Sequence, residues 1–150
     1  MSRTLKGKFR PENPDKYKGN PGNIIYRSSW EEKFMRYCDG NPAIIAWCSE
    51  EVRVRYYDPV QKKTRTYYPD FYVKVKRHDG IIMEELVEVK PYKQVKGPAV
   101  NPKKKTRGWL NEVYTYATNQ AKWKAAAEWC EDRGMNFRVI TEKEIKPNVW

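Results

Sequence analysis

Tyr68-Pro69-Asp70-Phe71-Tyr72-Val73-Lys74-Val75-Lys76 alternates polar and apolar residues, and beyond Arg77-His78-Asp79-Gly80 the chain returns through Ile81 to Lys90. Period-two alternation on both sides of an Asp-Gly turn predicts an antiparallel hairpin, with strands over 66–76 and 81–90. Asp70, Tyr72 and Lys74 then share one face of the first strand, and Phe71, Val73 and Val75 the other. In the closing run Leu86-Val87-Glu88-Val89-Lys90, Glu88 and Lys90 share a face while Val87 and Val89 turn to the core. Pairing the two strands sets Asp70, at the start of one, near Glu88 and Lys90 at the end of the other.

Two carboxylates and a lysine at one end of a sheet suit metal-assisted phosphodiester hydrolysis. Hard oxygen ligands from Asp70 and Glu88 match Mg²⁺, which keeps several waters and engages phosphate oxygens. Lys90 is placed to orient or deprotonate a water, or to offset charge on the phosphate. The same spacing also fits an ordinary hairpin whose exposed face pairs Glu with Lys across strands. Spacing alone leaves both readings open.

Working outward, Ser28 or Ser29 can cap a helix whose apolar stripe is Trp30, Phe34, Tyr37 and Cys38, stopped by Asp39-Gly40-Asn41-Pro42. A strand-like run follows over 51–57. Residues 91–108 hold three prolines, two glycines and the cations Lys93, Lys96, Lys103, Lys104, Lys105 and Arg107, and read as a basic loop. A helix is expected over 109–133, broken near Thr118-Asn119, with Gly134 as its cap and a last strand over 135–140. Trp109 opens that helix as a core anchor or as a platform for a base. Gln120 interrupts the stripe Val113, Tyr116, Trp123, Ala127 and Cys130, which turns its amide inward toward the site or into a satisfied core position. The order α-β-β-β-α-β predicts a mixed α/β domain on one sheet over 23–150, preceded by a basic, mostly irregular arm over 1–22 that includes Arg3, Lys6, Lys8, Arg10, Lys16 and Lys18.

Composition narrows the partners. The 150 residues carry 30 Lys+Arg against 19 Asp+Glu, a formal charge of +11, which points to a polyanion and to nucleic acid first. No apolar run is long enough to span a membrane, and residues 1–20 lack the apolar stretch of a secretory signal. Cys38, Cys48 and Cys130 are odd in number and widely spaced, which argues for a reduced compartment and against a zinc site. The single histidine, His78, falls in a turn, so nucleophilic catalysis built on histidine is not expected.

Taken together, Tyr68-Pro69-Asp70-Phe71-Tyr72-Val73 and Leu86-Val87-Glu88-Val89-Lys90-Pro91 resemble the PD-(D/E)XK nuclease motif, on the two strands that family uses. Arg27-Ser28-Ser29-Trp30-Glu31 resembles the Ser-x-x-Glu opening helix of TnsA-type endonucleases, and residues 120–134 and 137–141 are similar to their closing helix and strand. The likeness runs in matching order over residues 24 to 145. Thr4-Leu5-Lys6-Gly7-Lys8-Phe9-Arg10-Pro11 with Asn23-Ile24-Ile25-Tyr26 extends it to the head-completion nucleases of T-even-type tailed phages. This implies a restriction-endonuclease-like fold and a DNA endonuclease that uses Mg²⁺, with Mn²⁺ able to substitute, and leaves 5′-phosphate and 3′-hydroxyl ends. Asp70, Glu88 and Glu31 would hold the metal, with Lys90 completing the catalytic set. Ser28-x-x-Glu31 is equally a capping box, a structural role for the same glutamate.

The resemblance further implies DNA and phage capsid or portal proteins as partners, in the host cytoplasm during assembly, with retention in the virion head left open. Gln120 and the cations of 91–108 would contact DNA without reading its sequence. Isolated activity is expected to be weak, because uncontrolled cutting would damage the phage genome. The competing reading is a head-closure or portal adaptor that binds DNA and carries a vestigial nuclease site. Neither the number of metals nor the oligomeric state follows from the sequence.

Overall fold

The computed structural model describes residues 6–145; Arg3 and the other residues at either end lie outside them. The order is β1 (Gly7–Phe9), a 3₁₀ turn (Pro14–Lys16), β2 (Ile24–Tyr26), α1 (Ser29–Gly40), β3 (Ile44–Ser49), β4 (Val54–Asp58), β5 (Lys63–Tyr67), β6 (Phe71–Lys76), β7 (Ile82–Val89), α2 (Tyr92–Lys96), α3 (Arg107–Glu131) and β8 (Asn136–Ile140). A four-stranded mixed sheet in the order β3-β6-β7-β8 forms the centre. β3 and β7 each run antiparallel to β6, and β8 runs parallel to β7. A parallel neighbour demands a crossover, and α3 supplies it.

Both faces of the sheet are covered. On one, Phe34, Met35 and Cys38 of α1 pack on Trp47, Phe71, Val73, Val87, Val89 and Ile140. On the other, Trp123, Ala126 and Cys130 of α3 pack on Leu86 and on Val54, Tyr56 and Tyr67 of the separate β4–β5 hairpin. This explains why Leu86 to Val89 is buried at every position instead of alternating with solvent. Among the described residues no helix is long and apolar enough to cross a membrane.

The mixed α+β class is as the sequence predicts, but the described strands form one four-stranded and two separate two-stranded sheets where one sheet is expected, and several elements differ. Five strands separate α1 from α3 in place of three: β3 was not anticipated, and the run over 66–76 divides into β5 and β6. Pro69 cannot donate to a ladder, and the chain changes sheets across Tyr68-Pro69-Asp70. The loop over 91–108 contains α2, and Gly97, at φ +90°, ends it against the Tyr116 ring. α3 is one unbroken helix of 25 residues, capped by Thr106 accepting from Trp109 N at 3.1 Å.

The segment before α1 is more ordered than an irregular arm. β1 pairs with β2, and Phe9 and Tyr17 sit edge-on to Trp47, with ring centroids 5.9 and 4.8 Å away. Asp39, buried near the end of α1, accepts from Glu12 N at 2.9 Å and Asn13 N at 3.0 Å. Asp39→Ala leaves both amides without that partner, with an expected loss of about 2 kcal/mol of stability. Urea unfolding should record that loss together with faster proteolysis before residue 24. An unchanged midpoint would show that the segment is held by its aromatic contacts alone.

Candidate active site

The antiparallel register of β6 and β7 places Phe71 opposite Val87, so one residue further Asp70 faces Glu88. The two interlock through the backbone. Asp70 N donates to Glu88 Oε1 at 3.2 Å, and Val89 N donates to Asp70 Oδ2 at 2.8 Å. From the other side, Glu50 N donates to the Asp70 carbonyl at 3.1 Å, with Glu50 in the left-handed region at φ 55°. Lys90 Nζ lies 3.7 Å from Glu88 Oε2. Asp70, Glu88 and Lys90 therefore meet at one end of the sheet, as the alternation predicts.

The electrostatics of this corner are those of a buried acidic pair that Lys90 only partly compensates. Glu88 is 4% exposed, and burial raises its pKa against the opposing pull of Lys90. Asp70 keeps partial solvent access at residue level, yet protein crowds its carboxylate. Burial, then Glu88, then Glu31 push its pKa well above the usual range. Two carboxylates side by side resist joint ionisation unless a cation joins them. One oxygen of each already accepts a backbone N–H, so the pair presents fixed, hard oxygen donors of the kind that suits a divalent cation.

Glu31 adjoins the pair; burial raises its pKa, with smaller upward contributions from Glu50 and then Glu88 and an opposing one from Arg27. Its carboxylate is engaged elsewhere. Ser28 Oγ accepts from Glu31 N at 3.1 Å, while Arg27 N donates to Glu31 Oε1 at 3.1 Å. That is a helix-capping arrangement shifted one residue outward from the usual box. Arg27 also forms an ion pair with Glu50. Among the described residues no three His, Cys, Asp or Glu groups are gathered as a metal site, so Asp70 and Glu88 are together while Glu31 adjoins them through its charge.

Gln120 does not face inward: it is exposed, and its neighbour Asn119 is the buried one at 4% exposure. The inward stripe of α3 runs Asn119, Trp123, Ala126, Cys130. Spacings of four, three and four keep that set on one side of a helix, whereas Ala127 is exposed. Behind Glu88, Tyr67 Oη, Trp123 Nε1 and Asn119 Nδ2 are buried without a hydrogen bond of good geometry. Burial and the nearby Glu88 charge push the Tyr67 hydroxyl far up. Lys122 lies over the Tyr56 and Tyr67 rings at 6.0 and 5.6 Å, and burial followed by the charge of Lys90 lowers its pKa. Neither Asn119 nor Lys122 stands out in the sequence; stepping back along α3 from Trp123 by one helical turn finds the first.

Lys93, Lys96, Lys103, Lys104, Lys105 and Arg107 are all exposed. Trp109 is half-buried outside both core clusters, donating from Nε1 to the Ala99 carbonyl at 2.8 Å, so it is not the core anchor expected of it. Arg138 Nε lies 3.3 Å from the Glu85 carboxylate. All three cysteines are free and buried.

Comparison with known proteins places the chain in a family. Residues 41–142 match the family described as TnsA-like endonuclease N terminal, a span that includes Asp70, Glu88 and Lys90 and begins after Glu31. The chain is also 40% identical to the head completion nuclease of Enterobacteria phage T4, across 93% of each protein. Likeness of that extent settles the grouping: the chain belongs to the TnsA-like endonuclease family and is a relative of that head completion nuclease.

Proposed function

We propose that the chain hydrolyses DNA phosphodiester bonds during phage head completion, with Asp70 and Glu88 holding a divalent cation, Mg²⁺ or Mn²⁺, and Glu31 as a third carboxylate toward it. The observation that carries this reading is the backbone-locked Asp70–Glu88 pair with Lys90 Nζ 3.7 Å from it. When bound, the cation offsets charge on the phosphate and makes a water more acidic. The chain's residues do the rest. The Val89 and Asp70 amides fix the two carboxylates, and Tyr67, Leu86 and Trp123 wall off solvent behind Glu88. Lys90, 29% exposed at its side chain, presents an ammonium to the phosphate as its charge rises. Water oxygen bonds to phosphorus, the P–O3′ bond breaks, and the 3′ oxygen takes a proton, leaving 5′-phosphate and 3′-hydroxyl ends.

The net charge of +11 supports DNA as the substrate. Phage head components as protein partners, and the host cytoplasm during assembly as the place of action, are part of this proposal, and the likeness to a head completion nuclease supports them. Occupied positions for both carboxylates and the lysine argue against a decayed site in an adaptor. Lys90→Met is expected to lower single-turnover nicking of circular DNA about 10²–10³-fold with an unchanged circular dichroism spectrum. A Lys90→Met rate within about threefold of wild type would remove the lysine from the reaction.

A further inference from the structure

Between the end of β7, α2 and the middle of α3 lies a cavity of about 340 Å³ lined by Lys90, Gln94, Thr115, Thr118, Asn119 and Lys122, with Tyr114 at its margin. Its lining contains no carboxylate. Lys122 makes no ion pair among the described residues, and its recorded partners are the faces of Tyr56 and Tyr67. Asn119 is 4% exposed, and its Nδ2 has no hydrogen-bond partner. Buried amide donors are rarely left unpaired, and Asn119 lines a cavity that also gathers the side chains of Lys90 and Lys122. Thr118 Oγ1 lies 3.4 Å from Asp58 Oδ1, and Glu88 adjoins on the Lys90 side.

A cavity lined by cations and an orphaned donor fits an oxyanion. We propose that Lys122, Asn119 and Lys90 form a phosphate pocket that seats a DNA phosphate next to the one being cleaved. It rests on the nuclease reading only for the identity of the polyanion, and binding can be measured where no cleavage occurs. The pocket fixes the position of the strand along the carboxylates. Its phosphate is either an internal phosphodiester or a terminal 5′-monophosphate.

The test uses the full chain in EDTA, with fluorescence anisotropy of single-stranded probes of about 12 nucleotides that carry a 5′-phosphate or a 5′-hydroxyl. Lys122→Met keeps the stem over Tyr56 and Tyr67 and removes the charge. Binding is expected to weaken about 5- to 10-fold, and the slope of log K against log salt to fall by about 0.7. Lys124→Met, exposed on the same helix, is expected to stay within about twofold of wild type. Asn119→Asp, similar in shape with opposite charge, weakens binding at least as much and serves if Lys122→Met does not fold. A greater loss with the 5′-phosphate probe assigns the terminal monophosphate, and equal losses assign an internal phosphodiester. Wild-type affinity and slope in both Lys122→Met and Asn119→Asp overturn the pocket, as does an equal loss in Lys124→Met. A wild type that binds in this way and never cuts with metal would sink the nuclease reading and leave the pocket standing.

Discussion

Asp70→Asn is expected to lower metal-dependent DNA cleavage by about 10³-fold or more, while making the metal-free fold more stable. Asparagine has the same shape and can still accept from Val89 N, the 2.8 Å contact that fixes the Asp70 carboxylate. What disappears is a negative charge crowded by protein and facing Glu88 and Glu31. A carboxyl with a folded-state pKa above its unfolded value stabilises the fold at acid pH and loses that contribution as pH rises through the folded value. Wild type in EDTA should therefore lose stability along this pair between acid and neutral pH. The variant should show a flatter profile and a gain of order 1 kcal/mol at pH 8. Urea unfolding from pH 5 to pH 8 checks the sign, and Mg²⁺ should raise the melting temperature of wild type more than that of the variant. A variant less stable than wild type in EDTA at pH 8 would mean that the pair is not repulsive.

Phe34→Ala is expected to carry the largest stability loss. Phe34 is 0% exposed, and its ring centroid lies 4.7 Å from Phe71 and 5.9 Å from Tyr37. Phe71 follows Asp70 directly, so the cavity opens beneath the strand that presents the carboxylate. Truncating a buried phenylalanine typically costs about 3–5 kcal/mol. For a chain of this size that corresponds to a fall of roughly 6–20 °C in melting temperature. Calorimetry records it directly, and a loss under about 1 kcal/mol would show that α1 does not hold the sheet through this ring. Cleavage below the new transition should survive in Phe34→Ala far better than in Asp70→Asn, which separates support of the site from chemistry.

The site lay close to the surface of the sequence because two strands with period two fix faces and pairing at once. Asp70, Glu88 and Lys90 needed only the alternation on either side of one turn. Helix phase is harder to read. Each α-helical residue turns about 100°, so a shift of one position separates exposed Gln120 from buried Asn119. Glu31 stands at a spacing that two roles share, since Ser-x-x-Glu fits a cap and a site alike, and the structure displays the cap. β3 escaped because Ile44-Ile45-Ala46-Trp47-Cys48 is a short continuous apolar run, which periodicity cannot assign to strand or helix. The ordering of residues 7–26 depends on Asp39 and Trp47, contacts distant in sequence that composition does not reveal.

The central claim is that this chain cuts DNA with Asp70, Glu88 and Lys90. Its most direct test is nicking of supercoiled circular and branched DNA by enzyme in excess, in Mg²⁺ and in EDTA, with wild type beside Asp70→Asn and Lys90→Met. Wild type is expected to nick in Mg²⁺ alone, and both variants to lose nicking at unchanged circular dichroism. Variants that cut at the wild-type rate, or cleavage that persists in EDTA, would contradict it, and a folded wild type silent on both substrates would favour the adaptor.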